Sequence, residues 1–299
     1  MHVQLSLPTG ESAVVLLYGA TVISWKAGGQ ERLFLSEKAK LGVTYPLRSG
    51  AEFHVLTAPL DRRIQGSAWW HPIGVPRKQA PCTSWLVGHQ PAYLFLQVFG
   101  KTTEGPTASL PQHGFARVSK WEVLGRIEES QTSVQVDFGL GPENLSVDSR
   151  KQWPFNFGLI YSVVLSKASL ETKLLVRNEG GEPFDFNALF HTYLRVPDVT
   201  AVTVTGLQGA TYKDKTQGGA QVTEASGQVA IAGEVDRAYA NVAGPVAVEQ
   251  GGKTLFAVER SNLGDVVVWN PWAGAATNMA DFGPADGHKH MRESSLSLS

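Results

Sequence analysis

The sequence predicts an all-β chain folded as an antiparallel sandwich or barrel, and three observations carry that prediction. Short apolar runs rich in β-branched residues recur along the chain, 31 glycines are spread between them, and several runs alternate apolar with polar side chains. Successive side chains of a strand point to opposite faces, so a period of two buries one face and wets the other.

Taken in order, the candidate strands are Ser12 to Leu17, Ser133 to Phe138, Gly158 to Leu165, Leu170 to Val176, Ala201 to Val204, Gln228 to Ala232, Pro245 to Val248, Leu255 to Val258 and Val266 to Trp269. The alternation is clean in Val134-Gln135-Val136-Asp137-Phe138 and slips once in Thr172-Lys173-Leu174-Leu175-Val176-Arg177. A helical period appears only in the short Leu35-Ser36-Glu37-Lys38-Ala39-Lys40-Leu41. Gly, Pro and Asn turns separate the runs, with no internal repeat and no long linker, so residues 1–299 read as one domain.

Two segments break the rhythm. Residues 49–97 hold three of the eight tryptophans, three of the eight histidines and the only cysteine, Cys82, without a clear period. Residues 288–299 form a polar, serine-rich end with nothing apolar enough to close a sheet. Both look foreign to the rest of the chain.

Composition narrows the function. With 42% hydrophobic and 18% charged residues the chain is globular, and 26 basic against 27 acidic residues give a net charge of −1. Such a balance offers no global attraction for nucleic acid or for an anionic membrane, so any anion recognition is local. One cysteine excludes a disulfide framework and a Cys-based metal cluster, and the N-terminus lacks a signal peptide's pattern, which together suggest a reduced, cytoplasmic protein. Asn144-Leu145-Ser146 is a glycosylation sequon that stays silent without secretion. The phosphate loop, GxGxxG, GxSxG, HExxH and CxxC signatures are absent, which removes nucleotide hydrolysis, Rossmann redox chemistry, esterases and zinc proteases.

The residues that remain are histidines, arginines and acids. His113 lies in the turn Leu110-Pro111-Gln112-His113-Gly114-Phe115-Ala116-Arg117, either as a satisfied turn residue or as part of a site. His191 interrupts the apolar run Phe190-His191-Thr192-Tyr193-Leu194-Arg195, where a histidine must find a partner or face a cleft. Trp269 and Trp272, around Asn270-Pro271, read as core packing before they read as sugar-stacking rings. The acids of Gly209-Ala210-Thr211-Tyr212-Lys213-Asp214-Lys215 and of Gly233-Glu234-Val235-Asp236-Arg237-Ala238-Tyr239 read as solvated loop acids, and His288 and His290 as solvated tail residues.

Taken together, LYGATVISWK (Leu17 to Lys26), LFLSEKAKL (Leu33 to Leu41), LPQHGFAR, WPFNFGLIYSV (Trp153 to Val163), LFHTYLRV, the two acidic loops, VVVWNPW and MADFGPADG resemble the hexose-6-phosphate mutarotases, or glucose-6-phosphate 1-epimerases, of the aldose 1-epimerase superfamily, and most closely their fungal members. The resemblance covers most of the chain in order. It implies a large antiparallel β-sandwich of the galactose-mutarotase type, and a monomeric, cofactor-free, metal-free isomerase acting on a hexose 6-phosphate. A carboxylate would take the anomeric proton while a histidine protonates the ring oxygen. By the same resemblance His191 is the acid and His113 its polar partner at the ring. Arg48 and Arg117 clamp the phosphate, and Gln112 and Asp214 bind hydroxyls.

The chain departs from the family in its two odd segments. Arg48-Ser49-Gly50 leads into the long insert where relatives continue the motif, which is expected to displace Arg48. After MADFGPADG relatives carry a strand with the catalytic glutamate; here no residue aligns with it, and Glu293 and Asp281 are the substitutes at hand. Beside an active epimerase, the residues therefore leave open a catalytically impaired sugar-phosphate-binding sandwich and a lectin-like carbohydrate-binding module.

Overall fold

The computed structural model describes residues 1–36, 38–39, 51–56, 65–71, 110, 113–184, 186–279 and 294–298. Among them the strands are, in chain order, β1 His2–Ser6, β2 Ser12–Leu16, β3 Val22–Ala27, β4 Gln30–Glu31, β5 Ala51–Leu56, β6 Gln65–His71, β7 Glu122–Glu129, β8 Ser133–Leu140, β9 Phe157–Ser166, β10 Ser169–Asn178, β11 Asn187–Val196, β12 Val202–Thr205, β13 Thr211–Asp214, β14 Ala220–Thr223, β15 Gln228–Ala230, β16 Val235–Ala240, β17 Val246–Gln250, β18 Lys253–Ser261, β19 Val266–Asn270 and β20 Ser294–Leu298.

Period-two alternation does what the sequence predicts. In β8 the residues Val134, Val136, Phe138 and Leu140 are buried while those between them are partly exposed. The strands form two antiparallel sheets. One has eleven strands in the order β1-β2-β3-β5-β11-β20-β19-β16-β13-β14, with β4 on β3; the other has nine, β15-β12-β17-β18-β6-β10-β9-β8-β7. One apolar cluster draws on both, with Trp25, Phe190, Leu194 and Val268 from the first sheet and Phe138, Tyr161, Leu174 and Phe256 from the second. Tyr161 and Phe190 meet across the gap at 6.3 Å between ring centroids. Burying each such large side chain stabilises the sandwich by roughly 1.5–3 kcal/mol.

The two segments that look foreign in the sequence supply three strands at the joins. β5 lies between β3 and β11, β6 between β18 and β10, and β20 between β11 and β19. The expectation that the serine-rich end cannot close a sheet is therefore corrected. A ladder is made of backbone hydrogen bonds, and an interior strand needs partners on both edges more than an apolar composition. Ser294-Ser295-Leu296-Ser297-Leu298 also keeps an alternation of serine with leucine at its end.

Of the helical period at Leu35–Leu41, Glu37, Lys40 and Leu41 lie outside the described residues; Lys38 N donates to Ser36 Oγ at 3.2 Å. Two short helices occur elsewhere, α1 Val147–Gln152, capped by Ser146 accepting from Ser149 N at 3.1 Å, and α2 Trp272–Ala276. They are too short for a hydrophobic period to announce them.

Gly19 docks the β2–β3 hairpin onto the 3-10 turn Ala116–Val118. Its φ is +68°, and a Cβ there would stand 2.6 Å from the Arg117 carbonyl oxygen. Gly29, at φ +73°, has open space around the same position. Gly19→Ala should therefore lower unfolding stability by about 2–4 kcal/mol, and Gly29→Ala by only about 1 kcal/mol. Urea denaturation of the two variants checks this, and equal losses would contradict the close approach.

Candidate active site

On β11 the pleat sends Phe190, Leu194 and Val196 into the core and His191, Tyr193 and Arg195 to the outer face. The imidazole of His191 lies stacked on the Tyr193 ring, 4.5 Å between centroids and 18° between planes. Tyr193 Oη and His191 Nε2 are 3.4 Å apart. Trp269 closes the group edge-on, 6.3 Å from His191 and 6.0 Å from Tyr193. Phe34 and Ala276 bury Tyr193 from above, so that Tyr193 is a fixed support while His191 stays half-exposed at the rim.

Register extends this face across the sheet. Tyr193 pairs with Ser297 of β20, Ser297 with Trp269 of β19, and Trp269 with Asp236 of β16. Directly paired residues share a face, so Tyr193, Trp269 and Asp236 form one row. Three strand spacings of about 4.8 Å separate the ends of the row by about 14 Å at the backbone. Ser295, opposite Arg195, and Ser297 are the β20 positions on this side of the ladder. On the other edge of β11, His191 pairs in register with Glu52 of β5.

Asp236 is a half-buried carboxylate whose Oδ1 lies 3.5 Å from Lys215 Nζ. Burial pushes its pKa up, Lys215 opposes the rise, and the charges of Asp214 and Glu234 add to it. It is therefore a carboxylate held closer to neutrality than a solvated one. Solvated loop acids were the expectation for this segment and for the one at Asp214, and both acids instead sit in strands.

Asp214 occupies the other face. It pairs with Arg237, and that row continues through Val268, Leu298 and Thr192, one residue out of step with His191. Its oxygens accept from Thr216 N at 3.0 Å, Thr216 Oγ1 at 2.5 Å, Gln217 Nε2 at 3.3 Å and Arg237 Nε at 3.4 Å. Burial alone would raise its pKa, but the Thr216 hydrogen bonds and the Arg237 charge outweigh burial and hold it below the usual carboxylate range. Arg237 also lies over the Tyr212 ring at 4.8 Å and donates to Glu224 at 3.4 Å, and Tyr239 Oη donates to Glu224 at 2.9 Å. In this geometry Asp214 caps a turn and anchors an ionic network.

His113 and Gly114 take left-handed conformations, φ +65° and +70°, and turn the chain into the Ala116–Val118 3-10 helix that carries Arg117. That helix packs against β5, the strand next to β11. Tyr18, partly buried, has its pKa raised by desolvation and partly restored by the Arg117 charge. Arg48, Gln112, Asp281, Glu293, His288 and His290 lie outside the described residues. Among the described residues no group of three His, Cys, Asp or Glu is placed to hold a metal ion, and no helix is long and apolar enough to cross a membrane.

A half-exposed histidine, two aromatic rings and a half-buried carboxylate thus share one face of an antiparallel sandwich. The family model described as aldose 1-epimerase matches residues 95–292, and this chain belongs to the aldose 1-epimerase family. A Cenchrus ciliaris protein named "Putative glucose-6-phosphate 1-epimerase" is 30% identical over 288 residues, which span 93% of this chain and 72% of the relative. The protein of the same name from Escherichia coli strain K12 is 28% identical over 277 residues, 91% and 75% of the two chains. The crystal structure of a "putative mutarotase" from Salmonella typhimurium superposes with a TM-score of 0.71 at 22% identity, over 99% of this chain and 81% of that one. The expected mutarotase-type sandwich and isomerase family are thus borne out.

Asp214→Asn tests the capping role. Its folded pKa lies below its unfolded one, so its stabilisation is complete above the ordinary carboxylate range and disappears as pH falls through the folded value. The variant should be less stable by about 1–3 kcal/mol at neutral pH, and the gap should close below about pH 4. Urea unfolding across pH measures this, and a gap that widens in acid would contradict the assignment.

Proposed function

We propose that this chain is a glucose-6-phosphate 1-epimerase, interconverting the α and β anomers of a hexose 6-phosphate in the cytoplasm. The observation that carries the reading is the row from Tyr193 through Trp269 to Asp236, with His191 stacked at its end, in a chain of the aldose 1-epimerase family. Ring opening removes the proton from the anomeric hydroxyl and delivers one to the ring oxygen. The carbonyl carbon then rotates, and the hydroxyl closes on its other face. One group must accept a proton and another donate one near neutral pH, on opposite sides of the acetal.

Histidine is the side chain that exchanges a proton most readily near neutral pH, and we assign the donor to His191. Asp236 suits the acceptor: it shares the face of His191, and burial raises its basicity. Trp269 lies between them in the row as the floor on which a pyranose stacks. His113 borders the ring, and Arg117 takes the 6-phosphate from its turn beside β5, aided in this reading by Arg48 and Gln112. We assign the sugar-contacting carboxylate to Asp236 rather than Asp214, whose oxygens are held by Thr216, Gln217 and Arg237 on the other face.

A second reading, a sugar-phosphate-binding sandwich with impaired turnover, is favoured by one observation. The strand after MADFGPADG is present as β20, yet the positions it gives to the His191 face are Ser295 and Ser297. Magnetisation-exchange NMR of glucose 6-phosphate anomers, with glucose in parallel, separates the two. Faster exchange of the phosphate ester alone is expected. His191→Ala and Asp236→Asn should each slow it by about 10²- to 10⁴-fold, while Asp236→Asn leaves the melting temperature unchanged or higher. Arg117→Ala should weaken binding of glucose 6-phosphate far more than that of glucose. No enhancement from folded protein would favour the binding reading, and equal enhancement of both sugars would refute the phosphate's role.

A further inference from the structure

Arg260, on β18, is a described cation that no function so far explains. It follows Phe256 and Val258 on the core-facing side of the nine-stranded sheet, at the strand's end. Its Nη2 donates to the carbonyls of Val242 at 2.9 Å and Gly244 at 3.0 Å. Its Nε and Nη1 are buried and have no acceptor. No carboxylate charge among the described residues offsets the burial, which pulls its pKa below the ordinary arginine value. A guanidinium in this condition bears an unrecovered desolvation cost, and an anion is the partner that recovers it.

The surroundings are built to hold such a partner. The β16–β17 and β18–β19 turns are fastened together, with Val242 N donating to Gly264 O at 2.7 Å and Asn241 N to Asp265 Oδ1 at 3.0 Å. Between them opens a cleft of about 470 Å³ lined by Val242 to Pro245, Glu259, Arg260 and Asn262 to Gly264. That volume falls within the range of small-molecule sites, about 300–1,000 Å³. Glu259 alternates to the opposite face of β18 from Arg260. The cleft belongs to the end of the nine-stranded sheet, apart from the outer face of the eleven-stranded one that carries His191.

We propose that this cleft is a second ligand site, which seats the phosphate or carboxylate group of a small anion against Arg260. The two free donors supply charge-assisted hydrogen bonds, and the tied turns supply a wall that is formed before binding. The inference is independent of the epimerase reading.

The test is titration of the full chain with inorganic phosphate, and separately with acetate, at constant ionic strength, followed by calorimetry. Arg117→Ala is run alongside to remove phosphate contact at the sugar face. Binding should persist in Arg117→Ala and weaken about tenfold or more in Arg260→Gln. The better of the two anions identifies the group. Binding lost in Arg117→Ala and kept in Arg260→Gln would overturn the proposal, as would no response to either anion. Because Arg260→Gln also cuts the bonds to Val242 and Gly244, the Arg260 Nε–H resonance of ¹⁵N-arginine-labelled protein gives a second reading. It should shift on titration, and an unmoved resonance at saturating anion would sink the proposal even if the variant fails to fold.

Discussion

β11 is held along both edges, by β5 and the Arg32–Phe34 segment on one side and by β20 on the other, and the register of these ladders decides which side chains meet outside the core. A slip of one residue would carry His191 into the sandwich and bring Thr192 out, because the side-chain period is two. Leu194 and Val196 resist such a slip, since each would leave the core for the outer face. The placement of His191 on the outer face therefore rests on its apolar neighbours in the core.

The same constraint sorts the acids. Asp236 and Asp214 lie on strands that pair with each other, and the pleat sends one to each side of the sheet. On the outer face burial raises the pKa of Asp236 against the opposing charge of Lys215. On the inner side hydrogen bonds to Thr216 and the charge of Arg237 fix Asp214 as an anion, and Glu224 and Tyr239 extend the network. Two carboxylates of the same type thus acquire opposite properties from their surroundings. One is suited to moving protons and the other to holding β13 and β16 together.

Much of the sandwich was legible, because Val134, Val136 and Phe138 announce a half-buried strand by their alternation, and the unbroken run from Val266 to Trp269 announces a buried one. β5, β6 and β20 were not. Their residues show no sustained apolar period, and they enter the sheets through backbone hydrogen bonds supplied by neighbours distant in sequence. The His191 segment stood out as a polar interruption of an apolar run. Asp236 reads from the sequence as a solvated loop acid although a strand signal is present: Val235 and Tyr239 share one parity, so Asp236 between them must face the other way. The same count pairs Asp214 with the buried Tyr212. Trp269 was read as packing, and it does pack, but onto His191 and Tyr193 rather than into the main core.

The central claim is that one face of the eleven-stranded sheet receives the sugar, with Trp269 as its floor. The most direct measurement is the indole N–H resonance of Trp269 in ¹⁵N-labelled protein, assigned by its loss in Trp269→Phe, during titration with glucose 6-phosphate. The account predicts a saturable shift of that resonance with no change at the Arg237 Nε–H on the opposite face. A stationary Trp269 signal beside a moving Arg237 signal would place the ligand on the other side of the sheet and contradict the account.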